Sequence, residues 1–408
     1  MTHRAFVRIS LFALLSIGLL LTGTTAAAAG PARNVILLIG DGMGYEQLKA
    51  ASIFAHGEPG GLEMEKLPHH AEVSTYSARG PLSVTDSAAA ATAIATGRLT
   101  FNTRVATGPD DERYATILQQ CRDLDMRTGL VTTMWMTHAT PAAFASHVAS
   151  RDEHDEIARQ MLTATRPNVM FGGVYPETTV NTPATAEAAG YTVVTDRAGM
   201  NALDKTQTHV IGQFGPGHLP YEYDYSTGET DRYDTAPHLS EMAVKALALL
   251  EDPEHGFFLM VEGGHIDSAG HDNNIAACVH ETLEFDRTIA SVMEWAEGRD
   301  DTLIVVTADH EAGGLSVIYN NGAGELPTVR WSTGGHTGAK VPAYAAGPGS
   351  EKIAGMLHFI DIHRILSEAV GIDPGERQER QWTAAEFSAN ERARERARQA
   401  AEDAAREQ

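Results

Sequence analysis

Six short apolar runs, separated by helical patterns, limit what this 408-residue chain can fold into. NVILLIG (34–40), TGLVTTM (128–134), NVMFGG (168–173), YTVV (191–194), GFFLMVEGG (256–264) and DTLIVVTAD (301–309) are β-rich and apolar almost throughout. A strand that is apolar on both faces must be covered on both, as in a parallel sheet held between helices. SAAAATAIAT, YATILQQCRDLD, DEIARQMLTAT and HLSEMAVKALALLED supply helical patterns between the runs. The alternation predicts an α/β protein: a large, mostly parallel central β-sheet flanked by helices on both faces, a three-layer sandwich. There is no internal repeat.

The ends of the chain read differently. Arg4 and Arg8 precede the apolar LFALLSIGLL, and TTAAAAG follows with small residues suited to cleavage near Ala28 or Ala29. Residues 1–29 are therefore expected to be a secretory signal peptide, with the mature protein periplasmic or secreted. The run is short for a membrane anchor and no second hydrophobic span follows, so no membrane span is expected in the mature form. Residues 30–372 then form one catalytic domain, and 373–408 a charged helical tail, solvated or packed on a second subunit. Residues 213–237, rich in Gly, Pro, Tyr and Asp, read as a long surface loop that lines a site. Cys121 and Cys278 leave two readings, a disulfide or two buried free thiols. The formal net charge of −23 argues against a nucleic-acid-binding surface or an anionic membrane as partner.

Chemistry collects where strands end, because α/β sheets bind ligands outside the carboxyl ends of their strands. VILLIG runs into Asp41 in GDGMG; FFLMV runs into Glu262 in EGGHIDSAGHDNN; TLIVVTA runs into Asp309 and His310. Asp267 and His271 are four apart, so one helical turn brings a carboxylate and an imidazole to one face. With His336 in TGGHTGAK they make a three-ligand set of the kind zinc takes, with one position open. Asp41, Asp309 and His310 make a second. Two such sites a few ångströms apart suit displacement at phosphorus. After LVTTM come His138 and Thr140 in THATPAAFASHVASR; Thr140 and Glu262 are oxygen donors suited to magnesium, with Asp41 bridging. Arg151 is a candidate fork for two phosphoryl oxygens. VTDSAAAATAIATG places Asp86 and Ser87 at a helix start, where either can cap free N–H groups.

The ordered set GDGMG, VTDSAAAATA, HATPAAFASHVASR, VEGGHIDSAGH, TADHEAGG and GGHTG closely resembles the alkaline phosphatases, from about Asn34 to about Gly347. The resemblance implies hydrolysis of small-molecule phosphate monoesters through a covalent phosphoserine intermediate on Ser87. It also implies two zinc ions (Zn2+), on Asp41, Asp309 and His310 and on Asp267, His271 and His336. One magnesium ion (Mg2+) would sit on Asp41, Thr140 and Glu262. Arg151 would grip the non-bridging oxygens and Asp86 would orient it. The family is commonly dimeric, so a homodimer is one implied state.

This chain departs from the pattern at two positions. His138 stands where some bacterial members carry an aspartate near the magnesium; histidine is a known family variant there, so the resemblance implies that the site is kept and leaves its metal preference open. Ser268 stands where members carry lysine, histidine or tryptophan near the phosphate, which implies weaker retention of product. His265 matches no ligand and reads as a supporting or solvated residue. The competing functions are a phosphodiesterase or sulfatase-like hydrolase on the same scaffold, and a periplasmic phosphate- or zinc-binding protein without turnover.

Overall fold

The computed structural model describes residues 31–228 and 234–377, with isolated positions between 383 and 392. The expected leader, and most of the expected tail, lie outside the described residues. In chain order the strands are β1 (Asn34–Gly40), β2 (His69–Ser74), β3 (Arg127–Trp135), β4 (Val169–Val174), β5 (Thr192–Val194), β6 (Val210–Pro216) and β7 (Phe257–Gly263). They continue as β8 (Thr302–Ala308), β9 (Glu311–Ala312), β10 (Ser316–Tyr319), β11 (Thr328–Arg330), β12 (His336–Thr337), β13 (Val341–Ala346) and β14 (Gly355–His358). Ten of them form one sheet in the order β14-β2-β13-β8-β1-β7-β3-β4-β6-β5. From β8 to β5 every pairing is parallel. Within this sheet β13 alone is opposed, pairing antiparallel with both β2 and β8. The α/β expectation is met.

The near-continuous apolar runs are the interior strands. Every residue of β1, β7 and β8 is buried. Helices cover both faces. The helix Ser87–Thr96 packs with Ala139–Ala145 and Phe359–Ala369; the helix Ile275–Ala296 packs with Leu239–Leu250 and Tyr45–His56. Both sets reach β3 and β7, through Ile117–Asp123 and Ala139–Ala145 on one side and Leu239–Leu250 on the other. Alanine serves twice in Ser87–Thr96. It favours the helix, and it lets all ten residues sit buried against the alanine-rich Ala139–Ala145.

Central β1 has β8 and β7 as neighbours, and β3 follows β7. Gly40 is level with Gly263 and Ala308, and Thr132 with Glu262. The residues that leave these four strands therefore emerge side by side at one end of the sheet. The segment 213–237 differs from expectation. It begins inside β6 and, beyond a turn, holds the short helix Glu222–Thr227, so only part of it is loop.

Among the described residues no helix is long and apolar enough to cross a membrane. Cys121 and Cys278 are both buried and unpaired, which selects the free-thiol reading, and burial pushes both thiols up to about 12. A chromogenic thiol reagent added without reductant should find no reactive thiol in the folded protein and two per chain after denaturation. Finding none after denaturation would restore the disulfide.

Candidate active site

Asp41 leaves β1, Glu262 lies near the end of β7, Asp309 and His310 follow β8, and His138 and Thr140 follow β3. Gly42 makes the first turn possible. Its φ is 74°, and a Cβ there would stand 2.6 Å from the Asp267 Cα, so only glycine admits the helix His265–His271 this close. That helix carries Asp267 and His271 one turn apart. His336 arrives on β12, which pairs with β9 directly after His310.

Ser87 is the first residue of its helix, 1% exposed, with Oγ 3.3 Å from His310 Nε2. His310 Nε2 lies 3.4 Å from Asp41 Oδ1 and 3.3 Å from Asp309 Oδ2. Beside this group, His336 Nε2 is 3.4 Å from Asp267 Oδ1, and His271 Nε2 is 3.4 Å from Asp267 Oδ2. His271 and His336 bring their Nε2 atoms to 3.0 Å from each other. Each turns its other nitrogen to a carbonyl: His336 Nδ1 is 3.0 Å from Thr85 O, and His271 Nδ1 is 2.7 Å from Gly334 O. Carbonyls demand an N–H at Nδ1, so each neutral imidazole turns its Nε2 lone pair into the site.

On the far side of Asp41, His138 Nδ1 is 3.7 Å from Glu262 Oε1. Asp41, His138 and Glu262 bring possible ligand atoms within 4.8 Å of one another. Thr132 Oγ1 donates to Glu262 Oε2 at 2.5 Å, so Oε1 is the oxygen left for a ligand. His138 holds the N-cap position of Ala139–Ala145 without capping it; its Nε2 meets Arg151 Nη2 at 3.0 Å instead.

Asp86 does both jobs its position allows. Oδ1 accepts the Ala89 N–H at 3.0 Å and caps the helix, while Oδ2 accepts from Arg151 Nη1 at 3.3 Å and from the Thr103 N–H at 2.9 Å. His265 is buried, not solvated; its Nε2 bonds Leu219 O at 2.7 Å and fixes the segment leading to Tyr221. Tyr221 in turn hydrogen-bonds Ser268.

Metal ions fit this donor set. Among the described residues, both oxygens of Asp41, and Glu262 Oε1, Asp309 Oδ2 and Thr140 Oγ1, are buried with no hydrogen-bond partner. Buried carboxylate oxygens left without a donor cost several kcal/mol unless a cation faces them. The electrostatics agree. Burial, then the charges of Asp309, Asp267 and Glu262, holds Asp41 well above the usual carboxylate range. Burial and Asp267 push Asp309 up to about 7. Burial, then the charge of His336, holds His310 well below the usual histidine range. At His336 burial works downward, but bonding to Asp267 outweighs it and lifts the imidazole to about 9.

Spacing did not reveal a set of rings beside His138. Trp135 stacks on His218 at 4.0 Å and meets His138, His154 and Tyr175 edge-on. These rings come from separate segments, and no motif links them.

Comparisons with known proteins give the family and the fold. The alkaline phosphatase family model matches residues 32–325. The chain is 34% identical to streptomycin-6-phosphate phosphatase of Streptomyces griseus, over 86% of this chain and 93% of that protein. It is 30% identical to alkaline phosphatase of Escherichia coli (strain K12), over 84% of this chain and 87% of that protein. Among solved structures, the cold-active alkaline phosphatase of a psychrophilic Shewanella superposes with a TM-score of 0.74 at 29% identity. That match covers 83% of this chain and 99% of the other.

Raised carboxyls and a raised imidazole make cation binding compete with protons. At neutral pH the cation-free site holds a proton on His336 and, in part, on Asp309, which a bound cation must expel. Zinc added to chelated protein should therefore release protons, and its apparent affinity should climb between about pH 7 and pH 9. Calorimetry in buffers of different ionisation enthalpy measures this release; a pH-independent affinity would contradict it.

The strand-end carboxylates, the imidazoles that face them and the comparisons lead to one conclusion: the chain belongs to the alkaline phosphatase family and is a phosphatase.

Proposed function

We propose that the chain hydrolyses phosphate monoesters in two steps through a phosphoserine on Ser87, and that it works outside the cytoplasm. The observation that carries this is the position of Ser87 Oγ, at a helix N-terminus and 3.3 Å from His310 Nε2, with the preceding Asp86 bonded to Arg151. Helix N-terminal N–H groups and the helix dipole favour an anion at this point. Arg151 reaches the same place, held loosely by Asp86 and His138 until phosphoryl oxygens replace them as acceptors.

Asp41, Asp309 and His310 would hold one zinc, and Asp267, His271 and His336 the other, each with an open position. Asp41, Thr140 and Glu262 would hold the third ion. With His138 in reach, that site offers an imidazole beside oxygens, which moves its preference from magnesium toward zinc. The bound ions would supply positive charge to the attacking and leaving oxygens. The Ser87 oxygen attacks phosphorus, the ester P–O bond breaks on the opposite side, and the alcohol leaves. Water then attacks the same phosphorus from the vacated side and frees Ser87. Arg151 stays on the non-bridging oxygens through both steps. The leader-like Arg4, Arg8 and LFALLSIGLL support export.

Ser87→Ala should cut turnover of p-nitrophenyl phosphate by about a thousandfold or more while the fold and bound metal are kept. Chelation should abolish activity, and zinc with magnesium should restore it. An unchanged rate in Ser87→Ala would overturn the nucleophile. Faster turnover of a diester than a monoester would mark a phosphodiesterase. No hydrolysis with both ions present would leave a binding protein.

Ser268 offers a short hydroxyl, engaged by Tyr221, where a cation would strengthen phosphate binding. Ser268→Lys should lower the inhibition constant of inorganic phosphate by about tenfold, or about 1.4 kcal/mol. Equal constants would remove Ser268 from the account of product release.

A further inference from the structure

A second charged cavity lies at the opposite end of the sheet. Arg122 stands in the last turn of Ile117–Asp123, Arg127 opens β3, and Arg166 follows the helical turn Met161–Thr165. With Asn168 and His209, the residues just before β4 and β6, they line a cavity of about 460 Å³. The catalytic groups sit where the strands end; this cavity sits where β3, β4 and β6 begin.

Each guanidinium is tethered by carbonyls. Arg122 Nη1 donates to Ala164 O at 3.1 Å and to Thr165 O at 3.3 Å, and Arg127 Nη1 donates to Leu249 O at 2.9 Å. Arg166 Nη1 donates to Leu162 O and Ala189 O. Asp123 accepts from Arg122, and Asp252 lies 3.3 Å from Arg127 Nε, but neither acid lines the cavity. Arg166 has no carboxylate partner among the described residues. Nη2 of Arg127 and Nη2 of Arg166 likewise make no hydrogen bond among them. Asp125 is the one acid in the lining. Burial, then the charge of Arg166, holds His209 below the usual histidine range.

The Arg122 fork is already spent on Asp123 and two carbonyls, whereas Arg127 and Arg166, held by their Nη1 bonds, lose little freedom on binding and keep Nη2 for phosphoryl oxygens. The volume falls among small-molecule cavities and exceeds what one phosphoryl group fills. On a chain of net charge −23, an arginine-lined recess is a selective place for a small anion. We propose that this cavity binds a small anion bearing at least two phosphoryl groups, at a site separate from the catalytic one.

The probe is tripolyphosphate, titrated by calorimetry into metal-loaded Ser87→Ala protein so that turnover does not consume it. Two binding events are expected. Adding His209→Glu, which places a carboxylate in the cavity without removing an arginine tether, should weaken one event at least tenfold and leave the other. Adding Arg151→Ala should do the reverse. The pair Arg127→Gln and Arg166→Gln should match His209→Glu. In the Ser87 protein, His209→Glu should hydrolyse p-nitrophenyl phosphate at the parental rate, which shows that it folds. A single event removed by Arg151→Ala, or two events that no cavity variant moves, would overturn the proposal. The readout is binding, so it stands or falls independently of the role given to Ser87.

Discussion

The rest of the structure is organised around a repulsion. Asp41, Glu262, Asp267 and Asp309 are buried together at one end of the sheet, where Asp309, Asp267 and Glu262 raise the cost of ionising Asp41, and Asp267 and Glu262 that of ionising Asp309. Two like charges 4 Å apart repel by about 4 kcal/mol at the effective dielectric of a protein. Few folds could hold such a set open without collapse or rearrangement. This one does because β8, β1 and β7 are buried along their whole length and locked in parallel register between two helical layers. The apolar sheet works as a clamp; the histidines relieve Asp267, and the crowding left at Asp41 and Asp309 suits a cation.

Much of that site was legible in the sequence, for a physical reason. Interior parallel strands have to be apolar on both faces, so a carboxylate directly after one stands out against its background, as Asp41 does after VILLIG. Asp267 and His271 were legible because a helix converts a spacing of four into proximity. Register was not legible: nothing in GFFLMVEGG says that Glu262 lies level with Thr132 on β3. Strand β13, VPAYAA, carried no strand signal, since Pro342 and three alanines do not look like a sheet interior. Its pairing with β8 begins only at Ala343, beyond the proline that cannot donate. The helix Ile275–Ala296 hid for a related reason, burying Glu281, Glu284 and Asp286 among its apolar residues.

The supporting contacts were the least visible part. Thr85 and Gly334 act through backbone oxygens, which any residue type supplies, so their holding of His336 and His271 leaves no mark in composition. The rings around Trp135 present the same problem in another form. Tyr175, His154 and His218 meet only after the sheet has brought three connections to one edge.

Asp86 divides its oxygens between two tasks, Oδ1 to the helix and Oδ2 to Arg151 and Thr103. The division acts as a mechanical decoupling. On the proposed mechanism, an arginine that left Oδ2 for a phosphoryl group would leave that oxygen the Thr103 N–H and leave Oδ1 the cap, so the aim of Ser87 would be insulated from its neighbour's swing. A single carboxylate would thus separate the part that moves in each proposed cycle from the part that stays still.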